Sequence, residues 1–510
     1  MNLTVIGTGY LGAVHAACMA ELGHHVLGVD THPERIASLA RGEAPFYEPG
    51  LPELLARGIA SGRLSFGGSL AEAAAFGDVH FICVGTPQLP GSLAADTRHV
   101  EAVVEGLAPH LTRAALVVGK STVPVGTAAR LAGTLASLAP AGPAAELAWN
   151  PEFLREGYAV RDTLAPDRLV AGVTSARADA VLRGVYAPII EVGTPYIRTD
   201  LGTAELAKVS ANAFLATKIS FINAMADVCD AVGADVVTLA EVLGHDTRIG
   251  HRGMVAGLGF GGGCLPKDLR ALLARGDELG VSDSLRFLHE VDLINTRRRL
   301  GVVELAKRLA GGSLSSVNVA AFGAAFKPHT DDVRDSPALA VAVALHEAGA
   351  RVRVHDPRAG DNAREAAPAL EHVPDVEKAA EDADIVLHLT EWRQYADIDP
   401  VALRAIVRRP VLIDARNALP HRRWRDAGWT VRCLGTGHGL PPADAAAAAG
   451  YGAAAVGNGA AVIGNGAAVA GYGTAAAGNG AAVIGNGAAV AGNGAAAARR
   501  DRQEETCESW

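Results

Sequence analysis

No Cys-x-x-Cys pair occurs among the six cysteines of this chain, which stand at positions 18, 83, 229, 264, 433 and 507. That scatter argues against a zinc ribbon and against the dense disulfide framework of a small secreted domain. No metal is expected, and a reducing cytoplasm suits thiols spread in this way. No run of about 18 or more apolar residues is present to span a bilayer. Met1 is followed by Asn-Leu-Thr-Val-Ile-Gly, which lacks the basic start and long apolar core of a signal peptide. Basic residues are in deficit as well: 46 Lys and Arg against 55 Asp and Glu leave a net charge of −9, and the longest basic stretches resemble Arg297-Arg298-Arg299. A nucleic-acid surface is therefore not expected. Any anionic ligand must be met by a few placed groups.

What is present reads as repeated α/β units. The 510 residues allow two or three domains, each with its own core. Leu3–Ile6 reads as a strand, Leu11–Leu22 as a helix and His25–Val29 as a second strand ending in Asp30, a βαβ unit. Apolar runs at Val79–Val84, Leu116–Gly119 and Leu147–Trp149 continue the alternation, which predicts a parallel, doubly wound sheet over residues 1–200. From Leu201 to Val232 the spacing turns helical and is closed by Gly233, a plausible C-cap; this long connecting helix opens a helical middle over 201–312. A second block, 313–440, holds strands at Val317–Phe322, Arg351–His355, Ile385–Leu389 and Val411–Asp414, with a helix at Ala338–Ala348. The expected fold class is α/β: two Rossmann-like doubly wound domains joined by a long central helix.

Residues 441–510 differ in kind. From Gly450 to Ala498 a seven-residue unit close to Gly-Asn-Gly-Ala-Ala-Val-Ile repeats with small variations. A coiled coil shares that period, yet two glycines per heptad cost about 2 kcal/mol relative to alanine and leave no stripe of large residues. A disordered, linker-like tail is expected, its partner unknown, with a repetitive β-stack as the alternative.

Two motifs carry chemistry. Gly7-Thr-Gly-Tyr-Leu-Gly12, directly after a strand and opening a helix, matches the dinucleotide fingerprint. Asp30, ending the next strand, supplies a carboxylate for ribose hydroxyls that would repel a 2′-phosphate, so the cofactor expected is NAD. The second motif is Gly259-Phe-Gly-Gly-Gly-Cys-Leu-Pro-Lys-Asp268. Pro266 suits the first turn of a helix, which puts Cys264 at the positive end of a helix dipole, a position favouring thiolate. Asp268 would lie one turn on, on the same face, with Lys267 pointing elsewhere. A hydride acceptor and a nucleophilic thiol together suggest oxidation of an alcohol to a carboxylate. The aldehyde formed first is captured as a thiohemiacetal, oxidised again to a thioester and released by water.

These two motifs, with Val84-Gly-Thr-Pro87, Ser121-Thr-Val-Pro-Val-Gly-Thr127 and Asn150-Pro-Glu-Phe-Leu-Arg-Glu-Gly157, resemble the UDP-glucose/GDP-mannose dehydrogenase family, in order from about Met1 to Leu440. Glu205–Phe221 is similar to that family's central helix, and Phe322–Pro337, His355-Asp-Pro357 and Asp414-Ala-Arg-Asn417 to its nucleotide-sugar domain. The resemblance implies that Lys208 and Asn212, four residues apart on one helical face, stabilise the oxygen that becomes negative. It implies that Glu152, Thr122 and Asp268 position water. It places Gly7, Gly9, Tyr10, Leu11, Gly12, Asp30, Arg35, Thr86, Thr122, Glu156, Lys267 and Arg334 at the cofactor. At the sugar nucleotide it places Glu152, Phe153, Leu154 and Arg155, with Lys208 and Asn212 beside them. Gly253, Met254, Val255, Ala256, Gly257, Phe260, Gly261, Lys327 and Arg416 belong to the same site. Arg248 resembles an arginine that crosses into a neighbouring subunit's site, which favours a homodimer built on the central helix and UDP-glucose over GDP-mannose. Lys218, in a similar setting to Lys208, reads as solvated. The chain departs from the family's usual residues at Gly253, Phe260, Gly263 and Leu265, and Ala224 follows Asn223 where an acid is usual. A UDP-N-acetylhexosamine or GDP-mannose substrate is the alternative within the class. A non-catalytic nucleotide-sugar-binding scaffold is the alternative outside it.

Overall fold

The structure, a computed structural model, describes residues 1–437; the expectations for the repeat tail lie outside the described residues. Eight strands form the first sheet: β1 (Asn2–Ile6), β2 (His25–Val29), β3 (Leu64–Gly67), β4 (Val79–Ile82), β5 (Ala115–Gly119), β6 (Ala145–Trp149), β7 (Leu169–Gly172) and β8 (Tyr196–Thr199). Their order is β3-β2-β1-β4-β5-β6-β7-β8. The first six run parallel, as the sequence suggests. The last two are parallel to each other but meet β6 antiparallel through Trp149 and Gly172, so the outer pair is reversed relative to the rest. The second sheet has six strands, β9 (Asn318–Phe322), β10 (Arg351–His355), β11 (Glu371–His372), β12 (Ile385–His388), β13 (Val411–Asp414) and β14 (Thr430–Cys433), in the order β11-β10-β9-β12-β13-β14. All of its pairings are parallel.

Both sheets are covered on both faces, which is why their strands read as short unbroken apolar runs. Leu3 and Val5 of β1 pack into one core with Ala13, Val14 and Ala17 of helix α1 (Tyr10–Glu21), while Ile6 enters the core on the other face. In β9, Val319 and Ala321 face one core, Ala320 and Phe322 the other. The side chains alternate because successive Cβ atoms of a strand point to opposite faces.

Helix α2 (Leu201–Val232) connects the sheets. Its 32 residues span about 48 Å at 1.5 Å per residue. Asp200 caps its start by accepting from the Thr203 N–H at 2.8 Å, and Gly233, at φ 75°, ends it in the left-handed region. Against it pack α3 (Leu265–Glu278) and α4 (Ser282–Leu309), joined through Ala213, Ala216, Phe260, Leu269, Leu273 and Leu288. Among the described residues, no helix is long and apolar enough to cross a membrane.

The loop Gly259–Gly263 is where the helical middle meets the second sheet's unit. Asn295 of α4 both accepts from the Phe260 N–H (2.8 Å) and donates to its carbonyl (3.0 Å). On the other side lies the segment that leads into α5 (Pro337–Glu347). A Cβ on Gly259 would overlap the Asn295 amide, and one on Gly261 would overlap the Asp335 carbonyl and lie 2.6 Å from Pro337 Cδ. We expect Gly261→Ala to cost on the order of 1–3 kcal/mol in chemical denaturation, because the contact is with backbone and cannot yield. Gly133→Ala, in the helix Thr127–Leu138 where an added Cβ meets nothing, should instead stabilise by roughly 0.5–1 kcal/mol.

Candidate active site

One cleft of about 1470 Å³ runs between the two sheets along α2 and α3. A single small-molecule pocket occupies roughly 300–1,000 Å³, so this cleft has room for two ligands end to end.

The first end is built by the β1 to α1 turn. Each glycine of the fingerprint is required for a different reason. Gly7 sits at φ 90° with its Cα against Val84, where a Cβ would come within 2.7 Å of Val84 Cγ1. Gly12 lies against the Gly7 carbonyl and has no room for a side chain. Around Gly9 a Cβ would meet no protein atom within 4 Å, which leaves the space a pyrophosphate needs at a helix N-terminus. Asp30 accepts from Thr8 N at 2.8 Å, His32 N at 3.0 Å and Arg35 Nη1 at 2.9 Å. Burial pushes its carboxyl up, but the hydrogen bonds from His32, Arg35 and Thr8 outweigh that and hold it below the usual carboxylate range. These groups fit NAD. Tyr10 lines the cleft, yet its hydroxyl is committed to buried Glu48 and accepts from Gly157 N.

At the middle, Cys264 is the residue before α3, with Pro266 in the first turn and the Asp268 N–H bonded to the Cys264 carbonyl at 2.8 Å. The thiol opens to the cleft. Its environment corrects the expected thiolate: protein packed around it and the Asp268 carboxylate push the thiol up, and Lys208 and Lys267 only partly offset this. Lys267 also differs from expectation. It pairs with Asp268 Oδ1 at 2.6 Å, while Asp268 Oδ2 accepts from Asn212 Nδ2 at 2.7 Å. Lys208 and Asn212 do share one face of α2, both buried and both at the cleft, and the Lys208 ammonium lies 5.6 Å from the Phe153 ring centre. Glu152 has separate partners: Oε1 accepts from Phe153 N (2.8 Å) and Leu154 N (3.1 Å), and Oε2 pairs with Lys120 at 3.0 Å. Thr122 contributes its carbonyl to the Thr86 hydroxyl at 2.7 Å.

The far end belongs to the second sheet's unit. Lys327 lies between the rings of Tyr158 (5.8 Å) and Phe326 (5.7 Å), its ammonium pushed down by burial. Arg416 reaches the cleft, but its guanidinium also donates to the carbonyls of Leu389 (2.7 Å), Gly259 (3.0 Å) and Phe326 (3.2 Å). Part of its work is to clamp the cysteine loop to this unit. Arg334 does similar work across the cleft, bonding Glu156 at 3.2 Å and Asp332 at 2.6 Å while its guanidinium fills the space above Gly263.

Three domain models of one family match in succession. The NAD binding domain of the UDP-glucose/GDP-mannose dehydrogenase family matches residues 1–207, its central domain 202–297 and its UDP binding domain 320–421. The chain belongs to the UDP-glucose/GDP-mannose dehydrogenase family. Among the family's relatives, the UDP-glucose 6-dehydrogenase of Rhizobium meliloti is 41% identical over 82% of this chain and 95% of its own length. That of Pseudomonas aeruginosa is 41% identical over 85% of this chain and 97% of its own. A solved UDP-glucose dehydrogenase from Pyrobaculum islandicum superposes with a TM-score of 0.79 at 38% identity, covering 86% of this chain and 98% of that one. The family's cofactor is NAD, in agreement with the glycine turn and Asp30.

Most residues expected at the site line the cleft: Leu11, Thr86, Phe153, Leu154, Arg155, Glu156, Gly253, Val255, Ala256, Gly257, Phe260 and Gly261 join those described above. Three do not. Gly12 is under Gly7, Met254 is buried in a separate core with Ile222 and Cys229, and Arg248 is an exposed side chain paired with Asp246 at 2.6 Å. Lys218 is not merely solvated either, since it donates to the carbonyls of Ile249 (3.0 Å) and Gly250 (3.4 Å). Sequence reading missed Glu48, Lys120, Asn223, Asn295 and Asp332. Asn223 accepts from Gly257 N at 2.9 Å, fixing the segment before the cysteine loop.

Two expectations follow. Asp30→Ala frees Arg35 to meet a 2′-phosphate, and steady-state kinetics should show the preference for NAD over NADP falling by at least about tenfold, or 1.4 kcal/mol. Burial and the neighbouring Asp332 push the Glu156 carboxyl up to about 7. Between the ordinary carboxylate range and that value the folded chain holds more protons there than the unfolded one, so this group's contribution to stability falls as pH rises through the window. Glu156→Gln should flatten the pH dependence of thermal stability between about pH 5 and about pH 8, by on the order of 1–3 kcal/mol.

Proposed function

We propose that this chain oxidises the primary alcohol of UDP-glucose to the carboxylate of UDP-glucuronate through a thioester on Cys264. The observation that carries the reading is the position of that thiol: it opens into one cleft between the NAD-binding turn and the UDP binding domain, with Lys208, Asn212 and Asp268 around it. The naming of the relatives at 41% identity supports UDP-glucose as the sugar nucleotide.

Bound NAD supplies the chemistry of accepting hydride, once from the alcohol and once from the thiohemiacetal. The Lys208 ammonium stabilises the oxygen as its proton leaves. Cys264 Sγ then adds to the aldehyde carbon while its proton passes to the Asp268 side, so the carbonyl oxygen becomes the thiohemiacetal hydroxyl. Because the thiol is pushed up rather than ionised in advance, this addition needs a nearby acceptor, and Asp268 is one turn away. After the second oxidation water adds to the thioester carbon. Glu152, a carboxylate fixed on both oxygens, and the Asp268 carboxylate orient that water and take its proton; the C–S bond breaks and the thiol is restored. One alcohol and one water thus give one carboxylate, two reduced cofactors and three protons.

We also propose a homodimer through α2. Leu206, Phe214, Phe221, Val228 and Val232 are exposed along it at helical spacing, continued by Val237, Val242 and Ile249 beside Arg248. Monomers rarely leave so long an apolar stripe uncovered. A reducing cytoplasm is the compartment that fits, because the described cysteines are all free and the mechanism needs a thiol.

NADH formed per UDP-glucose consumed should be two, with UDP-GlcNAc, UDP-ManNAc and GDP-mannose each turned over far more slowly in parallel. A ratio of one would exclude the covalent scheme. Lys208→Met should lower kcat by about 10²–10³ with little change in KM for UDP-glucose. Phe214→Asp combined with Phe221→Asp should halve the mass seen by light scattering, and an unchanged mass would remove α2 as the interface.

A further inference from the structure

Lys120 is 4% exposed and directly follows β5, yet no motif of the sequence singled it out. The sheet places it. Gly119 of β5 pairs in register with Trp149 of β6, so the next residues on the two parallel strands, Lys120 and Asn150, emerge side by side at the carboxyl ends of the strands. There the Lys120 ammonium meets Glu152 Oε2 at 3.0 Å and Asn150 Oδ1 at 3.0 Å. Asn150 is itself fixed, accepting from the Tyr186 hydroxyl at 2.6 Å and donating to the Val170 carbonyl at 2.7 Å. A buried ammonium is retained only when charge and hydrogen bonds compensate it, and here Glu152 supplies the charge. Lys120 lines the cleft beside Asn150 and Glu152, and its ammonium is committed to both.

We propose that Lys120 is the positioning residue for thioester hydrolysis: it holds Glu152 in the one orientation that presents its carboxylate to the water attacking Cys264. The inference rests on the proposed function. Among the described residues, Lys120 is the one side chain bonded to Glu152. Its Oε1 is tied to the backbone of Phe153 and Leu154, its neighbours in sequence, and among the described residues its Oε2 pairs only with Lys120. Without the ammonium, the carboxylate can turn into solvent in the cleft. Among the described residues the Lys120 ammonium bonds to Asn150 and Glu152 and to neither the turn at Gly7 and Gly9 nor the Cys264 loop, so its loss should spare both hydride steps and slow the release of the acid.

The test is a stopped-flow comparison of wild-type enzyme, Lys120→Met, Glu152→Gln and the double variant, with UDP-glucose and saturating NAD. Glu152→Gln should show a burst of two NADH per active site followed by a steady state at least tenfold slower than wild type. Lys120→Met should show the same burst and a similar slow phase, with KM for NAD unchanged, and the double variant should be no slower than Glu152→Gln alone. A purely structural lysine gives a different pattern: both phases of Lys120→Met fall together without a burst, or the losses of the two single variants add in the double. Either result overturns the proposal, as does wild-type hydrolysis in Lys120→Met. If Lys120→Met does not fold, the double variant, in which no buried charge is left unpaired, is compared with Glu152→Gln, and a slow phase slower in the double variant than in Glu152→Gln overturns the proposal equally. Absence of a burst in Glu152→Gln while wild type still forms two NADH removes Glu152 from hydrolysis and takes this inference with it; a wild-type ratio of one instead defeats the proposed function itself.

Discussion

How closely backbone can approach backbone at Gly259–Gly263 governs everything around the reactive thiol. Asn295 of the long helix α4 holds the loop from one side through both polar groups of Phe260. From the other side come Arg416, which donates to the Gly259 carbonyl, and the Arg334 carbonyl, which accepts from Gly262 N at 2.9 Å. Side chains at these glycines would overlap one neighbour or the other. The loop is therefore both the mount of Cys264 and the seam between the helical middle and the second sheet. Moving the seam moves the thiol.

The seam also explains why the cleft is lined by residues from far apart in the chain. The glycine turn and Asp30 belong to the first sheet, Lys208 and Asn212 to α2, Lys327 and Arg334 to the second sheet's unit. Contacts between the units, Glu156 with Arg334 and Tyr47 N with Asp331 at 3.0 Å, tie the two sides of the cleft together. Packed protein and the Asp268 carboxylate push the thiol up, and Lys208 and Lys267 partly offset them.

Much of the fold was legible because its rules are local. Parallel strands covered on both faces appear as apolar runs, and α2 announced its length through helical spacing and Gly233. The reversed pair β7 and β8 was not legible, since strand direction depends on where the chain returns and not on the pattern of Leu169–Gly172 itself. At the site, Cys264 and Asp268 could be named from a short motif with a mechanism attached, and Lys208 and Asn212 through the resemblance to the family. The residues that hold them could not: Asn295 meets Phe260, Glu48 meets Gly157 and Lys120 meets Glu152 only after folding, across intervals that leave no periodicity. Lys267 and the Cys264 ionisation were misread for the same reason. A helix start favours thiolate when other charges are absent, and here Asp268 and burial outweigh it. Arg248 and the apolar stripe of α2 face outward in the single chain.

The proposed oxidation requires a covalent bond at Cys264. The direct measurement is peptide-resolved mass spectrometry of the Glu152→Gln enzyme, acid-quenched during turnover of UDP-glucose with NAD. A Cys264 peptide carrying the uronyl group, removed by hydroxylamine, is the predicted result. Steady formation of two NADH per sugar with Cys264 unmodified at every quench time would contradict it.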